Sequence, residues 1–292
     1  MPSHSYDLSD KTRTAIVTGA SSGIGEATAR QLASAGFRVA MIARRGDRLE
    51  RIAKEIEIAG GVAVAIVADL AEPESTTRAL QTAINTLGRV DVLVNNAGFS
   101  PGAALEQMSR EEIRQIFDVN LFSALQLTGE VVPIMREQGG GRIINVGSLA
   151  GSVPAPLAIP YAASKIGLHG ASDALRLELA PWKIKVSLII PGFVDTAVFD
   201  NAREGAQHLR SDPNNPYLDT MFELDDLAKK NLENALSPDD LARVIVRAAT
   251  ARRPRARYYA PFSAMLQSVF LGMLPSRWLD AILLRVYKLE SR

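Results

Sequence analysis

The sequence predicts a single α/β domain in which a parallel sheet is doubly wound, with helices on both faces. Two observations carry this prediction: short β-branched runs alternate with helical stretches, and a glycine-rich turn at residues 18–25 joins the first run to the first helix. The 292 residues are 47% hydrophobic, which is enough for a sizeable core, and no linker interrupts the pattern. We therefore expect residues 1–250 to form the body of the domain and residues 251–292 a C-terminal helical extension.

Apolar and β-branched runs place the strands, and the segments between them have helical periodicity. Gly36 is expected to end the first helix, and Pro73 to begin the third, where its missing N–H costs nothing. The predicted strands are 15–17, 38–43, 62–67, 92–94 and 142–146, with an edge strand at 258–261; the predicted helices include 46–59, most of 109–135 and a long one starting at Tyr161.

The composition narrows the function classes. A net charge of +1 gives no basic surface that would gather nucleic acid, so we expect no nucleic-acid partner. The chain has no cysteine and only three scattered histidines, so neither disulfides nor a metal site is expected. Residues 1–11 are polar, and no run reaches the roughly 18 apolar residues of a membrane span. The sequence therefore predicts a cytoplasmic protein.

The glycine-rich turn reads TGASSGIG. Glycines at 19, 23 and 25 remove Cβ atoms where the backbone turns sharply, and they allow a pyrophosphate to approach the N–H groups at a helix N-terminus. The spacing differs from the common Gly-x-Gly-x-x-Gly fingerprint of dinucleotide-binding turns. The turn is thus interpreted as a site for dinucleotide phosphates, with a close-packed turn that binds no ligand as the alternative.

Charged residues follow the second and third predicted strands. Arg44 and Arg45 stand where an acid would accept from the 2′-hydroxyl of NAD, whereas a guanidinium pairs with the 2′-phosphate of NADP. The two arginines favour NADP, and the alternative is two ordinary surface charges. Asp69 is interpreted either as an adenine contact or as a helix-capping acid.

Amide side chains mark the fourth strand and the helical segment after it. Asn95 and Asn96 can tie adjacent strand ends together, while Ala97 and Gly98 leave room for a ribose or a ring; the alternative is an asparagine-rich turn. Asn120 lies in the middle of a helical pattern although an amide is a mediocre helix former. Its position therefore suggests a purpose other than helix propensity.

Tyr161 and Lys165 lie one helical turn apart on the same face. A free tyrosine has a pKa near 10, but a neighbouring cation favours the phenolate. The spacing therefore predicts that Lys165 lowers the pKa of Tyr161, which then takes the proton of an alcohol. An ordinary, partly exposed helix face is the alternative.

Together these motifs resemble the classical, single-domain group of the short-chain dehydrogenase/reductase family over roughly residues 12–250. The resemblance rests on the TGASSGIG turn, the NNAG segment at 95–98, Asn120, Ser148 placed thirteen residues before Tyr161, Lys165, and Pro191-Gly192 followed by Thr196. It implies a Rossmann-like fold and an oxidoreductase that uses a nicotinamide cofactor. Arg44 and Arg45 favour NADP(H) as that cofactor, with NAD(H) as the alternative.

The resemblance also implies residue roles. Tyr161 would be the acid/base, Ser148 would hold the substrate oxygen, Lys165 would lower the pKa of the tyrosine and bind the nicotinamide ribose, and Asn120 would hold a relay water. Asp69 and Val119 would lie beside the adenine, and Thr196 and the Val194 backbone beside the carboxamide. The implied cofactor contacts are Gly19, Ser21, Ser22, Gly23, Ile24, Gly25, Arg44, Arg45, Asp69, Leu70, Asn96, Ala97, Gly98, Val119, Tyr161, Lys165, Pro191, Gly192, Val194 and Thr196, with no metal.

The segments expected to surround the nicotinamide are largely apolar. They contribute Val153, Leu157, Val198, Phe199, Met221 and Phe222, and residues 196–236 are expected to form a lid with a mobile, turn-rich part at 201–217. We expect an apolar secondary alcohol or ketone, resembling a steroid, retinoid or lipid, and a homodimer or homotetramer. The alternatives are a 3-ketoacyl-(carrier protein) reductase and a nucleotide-binding protein without turnover.

The tail has apolar stripes at helical spacing. They comprise Phe262, Met265, Leu266, Val269, Phe270, Met273 and Leu274, then Trp278, Leu279, Ile282, Leu283, Val286 and Tyr287. The tail loosely resembles the C-terminal part of the hydroxysteroid and retinol dehydrogenase branch. Three interpretations compete: a cover over the substrate pocket, a subunit contact, or a membrane-surface contact through 261–289. We favour the first two, with at most peripheral membrane contact.

Overall fold

The computed structural model describes residues 13–153, 155–196, 198–233 and 235–289, with the backbone alone at 198–201 and 267. Its centre is a seven-stranded parallel sheet in the order β3-β2-β1-β4-β5-β6-β7. The strands are β1 (Thr14–Thr18), β2 (Arg38–Ala43), β3 (Val62–Val67), β4 (Val92–Asn95), β5 (Gly141–Val146), β6 (Ile184–Pro191) and β7 (Arg257–Ala260).

Helices connect the strands and extend beyond β7. They are α1 (Gly23–Ser34), α2 (Gly46–Ile58), α3 (Pro73–Leu87), α4 (Arg110–Phe117), α5 (Ser123–Glu137), α6 (Ile159–Glu178), α7 (Val198–Gly205), α8 (Gln207–Arg210), α9 (Leu218–Leu232), α10 (Pro238–Thr250), α11 (Phe262–Met273) and α12 (Ser276–Val286). Within the described ranges, none of the helices combines the length and the apolar character needed to cross a bilayer.

Two hydrophobic cores lie on opposite faces of the sheet. Side chains alternate along a strand, so Ala15 and Val17 of β1 enter one core and Ile16 enters the other. The first core includes residues of α1, α2 and α10, such as Leu241, and the second includes residues of α3 and α5, such as Leu127. The predicted doubly wound architecture is therefore confirmed.

Local predictions agree with most of the elements. β2 and β3 have the predicted bounds, and Gly36 adopts a φ of 82° just after α1. The predicted helical stretch 109–135 is divided, because a single π-helical turn at Asp118–Phe122 separates α4 from α5. Such turns occur often at functional sites, and this one contains Asn120.

The tail begins with the edge strand that the sequence predicts at 258–261, and two helices follow it. β7 is an integral edge strand that pairs with β6, so the helices begin only after it. The small Ala264 of α11 is buried, whereas the apolar stripe points to solvent with Phe262, Leu266, Val269, Phe270 and Met273 each more than half exposed. The stripe of α11 therefore does not cover the domain to which it is attached.

Beyond α12, Lys288 contacts Glu223 of α9 in an ion pair of 2.5 Å.

Candidate active site

The carboxyl ends of the parallel strands gather the predicted site residues at one edge of the sheet. β1 leads from Thr18 into the glycine-rich turn, β4 ends at Asn95, and β6 ends at Pro191. Ser148 follows β5 within two residues. Residues that are far apart in the sequence therefore surround one cleft.

The glycine-rich turn packs too closely to admit larger residues. Gly19 has a φ of 67°, and a Cβ there would lie 2.9 Å from the Cα of Ala97. A Cβ on Gly25 would lie 2.3 Å from the carbonyl oxygen of Gly19. Across the cleft, Thr196 Cγ2 would lie 3.2 Å from a Cβ on Gly23. A side chain at 23 would thus fill the space before the N-terminus of α1, where a pyrophosphate fits.

Arg44 and Arg45 are both exposed, and Arg45 lies against the serines of the turn. Arg45 Nη2 donates to Ser21 Oγ at 3.0 Å and to Ser22 Oγ at 2.7 Å, and Nε donates to Ser21 Oγ at 3.2 Å. Partial burial, followed by Arg48 and Arg44, lowers the pKa of Arg45. A guanidinium beside two hydroxyls forms a recess suited to an anion.

Asp69 makes a local turn. Its Oδ1 accepts from the Ala71 N–H at 2.9 Å, and its own N–H donates to Ser75 Oγ at 3.1 Å. The N-cap of α3 is Glu72, so Asp69 caps its loop and not the helix itself. The neighbouring Leu70 is buried.

The predicted contacts after β6 are fixed by backbone bonds. The Gly192 N–H donates to the Ala260 carbonyl at 2.8 Å, which ties the end of β6 to β7. Val194 is buried and forms a bridge with Leu236. On the opposite side of the cleft, the Val119 carbonyl accepts from Ser123 Oγ at 2.8 Å, and Ile24 packs against the first core.

The two asparagines that end β4 tie strands together, as predicted. Asn95 Nδ2 donates to Asn145 Oδ1 of β5 at 2.9 Å, and Asn96 Nδ2 donates to the Thr18 carbonyl of β1 at 2.9 Å. Thr18 Oγ1 in turn accepts from the N–H groups of Asn96 and Ala97. These bonds hold the turn at 95–98 against the glycine-rich turn.

Asn120 fixes the loop that follows this turn. Its Nδ2 donates to the Phe99 carbonyl at 2.9 Å and to Ser164 Oγ at 3.2 Å, while its Oδ1 accepts from the Phe99 N–H at 3.0 Å. The amide is 1% exposed. A Cβ on Gly98 would lie 3.1 Å from Asn120 Oδ1 and 3.4 Å from Lys165 Nζ, so glycine leaves room for both groups. The Asn120 side chain thus has a structural purpose that helix propensity does not explain.

Lys165 and Tyr161 lie side by side, and burial acts on the pKa of both groups. Lys165 Nζ donates to the Val146 carbonyl at 2.9 Å and lies 5.8 Å from the centroid of the Tyr161 ring. Burial lowers the pKa of Lys165 to about 8. Burial also raises the pKa of Tyr161, and a side-chain hydrogen bond with Ser148 only opposes that rise. Burial and Ser148 are thus the two effects that set the direction of the Tyr161 pKa here, and the lowering of that pKa by Lys165 stays a prediction.

Ser148 begins a short 3₁₀ turn, Leu149–Gly151, directly after β5. Its Oγ accepts from the Ala150 N–H at 3.1 Å, and its side chain acts to lower the pKa of the Tyr161 phenol. The Ser148 N–H points to the ring of His169, with an Nε2 distance of 3.5 Å. The turn therefore connects the serine to both the tyrosine and a buried histidine.

A cavity of about 540 Å³ lies between the loop that precedes α6 and the tail, and its lining does not include Ser148, Tyr161 or Lys165. Leu157 belongs to the loop between Ser148 and α6, Leu289 belongs to the tail, and the complete lining is Ala104, Leu105, Glu106, Pro156, Leu157, Ile159, Pro216, Tyr217, Thr220, Lys288 and Leu289. Of the predicted apolar wall, Met221 packs in a small cluster with Leu157 and Ala104, but Phe222 is half exposed. The side chains of Val198 and Phe199 lie outside the described residues.

The lid region contains ordered contacts. Gln107 Nε2 donates to the Asn215 Oδ1 at 2.6 Å, and Arg210 pairs with Asp225 at 2.7 Å. Asn215 lies in the turn-rich segment, yet it is buried. Gln107 therefore anchors the region 196–236 to the body of the domain, whereas the Arg210–Asp225 pair joins α8 and α9 within the region.

Several residues at the site were not predicted from the sequence. Thr18, Asn145 and Ser164 complete the amide networks, and His169 supports the Ser148 turn. The repeat of Tyr161, Lys165 and His169 at intervals of four was an available signal, since these positions share one helix face. Across the described ranges, no group of three or more His, Asp or Glu is arranged to hold a metal ion.

Comparisons with known proteins support the family that these motifs indicate. The family model of the short chain dehydrogenases matches residues 13–207. An uncharacterized oxidoreductase of Staphylococcus saprophyticus is 35% identical over 238 residues, which are 80% of this chain and 89% of that protein. A 3-ketodihydrosphingosine reductase of Bacteroides thetaiotaomicron is 33% identical, with 83% and 85% of the two chains covered. A 3-oxoacyl-(acyl-carrier-protein) reductase of Synechocystis is 36% identical, with 64% and 76% covered.

Solved structures share the fold along most of the chain. A metagenomic short-chain oxidoreductase in complex with NADP is 32% identical, has a TM-score of 0.68, and is matched over 85% of this chain and 96% of that one. A short chain dehydrogenase/reductase of Burkholderia phymatum in complex with NAD is 26% identical, has a TM-score of 0.78, and is matched over 93% and 95%. This chain belongs to the short-chain dehydrogenase/reductase family and is an NAD(P)(H)-dependent oxidoreductase of alcohol or carbonyl groups with a Rossmann-like fold.

Proposed function

We propose that the enzyme interconverts an apolar ketone and its secondary alcohol with NADP(H), and that Tyr161 carries the proton. The single observation that carries this proposal is the placement of Lys165 Nζ 5.8 Å from the centroid of the Tyr161 ring, with Ser148 acting on the pKa of the same phenol. When bound, the nicotinamide supplies or accepts the hydride. Ser148 and Tyr161 hold the substrate oxygen between them, and Tyr161 donates its proton to the developing alkoxide during reduction.

The electrostatics of the site support this assignment. The raised pKa of Tyr161 keeps the phenol protonated near neutral pH, which is the form that donates during reduction. Lys165, with a pKa of about 8, is mostly charged at pH 7 and favours the phenolate once the proton has left. Asn120 Oδ1 retains a second lone pair that can accept from the proposed relay water.

A preference for NADP(H) is supported by Arg45. Its guanidinium, together with the hydroxyls of Ser21 and Ser22, makes a positive recess beside the glycine-rich turn, which suits a 2′-phosphate. Arg44 is exposed and has a secondary part in this proposal. We also propose that the other cofactor contacts implied by the family resemblance surround the dinucleotide.

A steroid-, retinoid- or lipid-like substrate is supported by the apolar lining of the cavity, which includes Leu105, Leu157 and Ile159. The relative named for 3-ketodihydrosphingosine supports a lipid-like ketone. The relative named for 3-oxoacyl groups supports the alternative, reduction of a 3-ketoacyl group on a carrier protein. The presence of Ser148, Tyr161 and Lys165 argues against a nucleotide-binding protein without turnover.

We propose two uses for the tail. Lys288 and Leu289 help to enclose the cavity, and the exposed stripe of α11 is suited to a seam in a homodimer or homotetramer. Peripheral membrane contact through 261–289 is the other candidate for that stripe. A cytoplasmic location remains an expectation from the composition.

Turnover of a substrate panel tests the proposal. NADPH consumption is measured with 2-octanone, a decalone, retinaldehyde and an acetoacetyl carrier protein, with Tyr161→Phe as the control for background oxidation. Turnover of the free apolar carbonyls supports the proposal, and turnover of the carrier-bound substrate alone supports the alternative. NADPH binding without turnover of any substrate would contradict both.

A further inference from the structure

His169 is a buried side chain without a part in the proposed chemistry. It lies on α6 two turns after Tyr161 and one turn after Lys165, and only 6% of it is exposed. A buried imidazole needs a polar partner, because an unpaired polar group in the interior is costly. Among the described residues, the ring has one hydrogen-bond partner, the backbone N–H of Ser148.

The His169 ring also fills the space beneath the turn that carries Ser148. A Cβ on Gly147 would lie 2.5 Å from His169 Nε2, and a Cβ on Gly151 would lie 2.6 Å from His169 Cε1. Neither glycine has a positive φ, so close approach to the ring, and not backbone conformation, favours glycine here. The turn is therefore held against the ring at both of its ends.

The hydrogen bond defines the charge state that the ring must have. Nε2 accepts from the Ser148 N–H, so a neutral ring carries its proton on Nδ1, and a charged ring has no acceptor to offer. Burial, followed by Arg257 and Lys165, lowers the pKa of His169 to about 4, and Asp173 opposes them. The ring is therefore neutral at physiological pH.

We propose that His169 is a positioning residue, whose neutral ring fixes the backbone at 147–151 and thereby holds the Ser148 hydroxyl against Tyr161. The proposal rests on the roles proposed above for Ser148 and Tyr161. Its physical consequence, however, is a property of the resting protein: the Ser148 side chain opposes the rise in the Tyr161 pKa. Loss of the ring must therefore raise that pKa further, whether or not a substrate has been identified.

The test follows the ionisation of Tyr161 directly. 3-Fluorotyrosine is placed at position 161, where fluorine makes the phenol more acidic, and its ¹⁹F shift is titrated in the full-length protein. Ser148→Ala is the positive control and should raise the pKa. His169→Leu removes the acceptor at similar size and should raise the pKa by at least half as much. His169→Gln retains an acceptor and should stay closer to the native value than His169→Leu does.

A second variant keeps the histidine and displaces its ring. Gly151→Ala should raise the Tyr161 pKa in the same direction, whereas Gly170→Ala, on the same helix with open space around it, should not. The comparison of Gly151→Ala with Gly170→Ala tests the proposal even if His169→Leu does not fold. A native Tyr161 pKa in folded His169→Leu or Gly151→Ala, or an equal shift for the Leu and Gln variants, would overturn the proposal. An unaffected pKa in Ser148→Ala would instead locate the failure in the proposed Ser148–Tyr161 pair.

Discussion

Arg45 closes onto Ser22: its Nη2 donates to the serine hydroxyl at 2.7 Å and joins the end of β2 to the turn that begins α1. The same nitrogen reaches Ser21 Oγ at 3.0 Å. The hydroxyls hold the guanidinium beside the cleft, which reduces the rotamer freedom that an anion would otherwise have to restrict.

Arg45→Ala should weaken NADPH binding by about tenfold to hundredfold, because a charged bidentate contact contributes roughly 1.5 to 3 kcal/mol. NADH has no 2′-phosphate, so its affinity should change little. Fluorescence titration of both cofactors measures the effect, with Arg48→Ala as an exposed arginine control. Equal affinity for the two cofactors in the native protein, unchanged in the Arg44→Ala/Arg45→Ala double variant, would contradict the assignment.

Tyr161→Phe should abolish turnover and leave cofactor binding intact, because it removes one hydroxyl and almost no volume. Lys165→Ala should lose both, since its buried ammonium bonds to the Val146 carbonyl and is proposed to bind the ribose. Steady-state rates on a confirmed substrate and NADPH titrations separate the two effects. If Tyr161→Phe kept most of its activity, the acid/base role would have to move to another group.

The elements that the sequence predicted well are those fixed by local pattern. β2 and β3 are apolar runs bounded by turn residues, and their bounds were correct. β2 is buried throughout, whereas β3 lies at the edge of the sheet and is only partly covered. Asn95 and Asn96 were placed at a strand end, where their partners follow from topology. The fold class could therefore be predicted from local pattern, whereas most of the site roles came from the family resemblance and stay predictions.

The features that were missed depend on packing. Periodicity identified the apolar stripe of α11 but not its direction, which is set by burial of the small Ala264 on the opposite side. The raised pKa of Tyr161 arises from burial, which no spacing encodes. Likewise, only the path of the backbone decides that Arg45 and not Arg44 reaches the serines.

Gly25→Ala should abolish dinucleotide binding, because the new Cβ would lie 2.3 Å from the Gly19 carbonyl oxygen and would force the turn to move. Gly129→Ala is the matched control: it lies in α5 with no atom within 4 Å of the added Cβ. Removing a helical glycine should stabilise the control by about 0.5 to 1 kcal/mol. Native NADPH affinity in folded Gly25→Ala would show that the turn does not hold the pyrophosphate.

His169 should make the stability of the fold depend on pH below neutrality. The pKa of the ring is lowered from 6.5 to about 4, so between these values the unfolded state binds a proton that the folded state does not. The free energy of unfolding should therefore decrease as the pH falls through this window, by up to about 3 kcal/mol from this group. Urea unfolding of the native protein and of His169→Gln isolates the contribution, and identical pH dependence in the two proteins would rule it out.

The exposed stripe of α11 should govern association and not folding. Phe270 and Met273 are 62% and 79% exposed, so Phe270→Glu and Met273→Glu should change the free energy of unfolding by no more than about 0.5 kcal/mol. Ile58→Glu is the matched control, because Ile58 is 78% exposed on α2, which packs beside β2 and β3 at the far edge of the sheet from β7. Sedimentation velocity should show that the two tail variants dissociate a homo-oligomer that the control leaves intact. Flotation with anionic vesicles, lost in the tail variants, would assign the stripe to a membrane surface instead. Native protein that is monomeric and does not float would contradict both the oligomer seam and the membrane contact.

A deletion test should remove only residues after Pro261, because a cut at Ala251 would also remove β7 and expose the edge of β6.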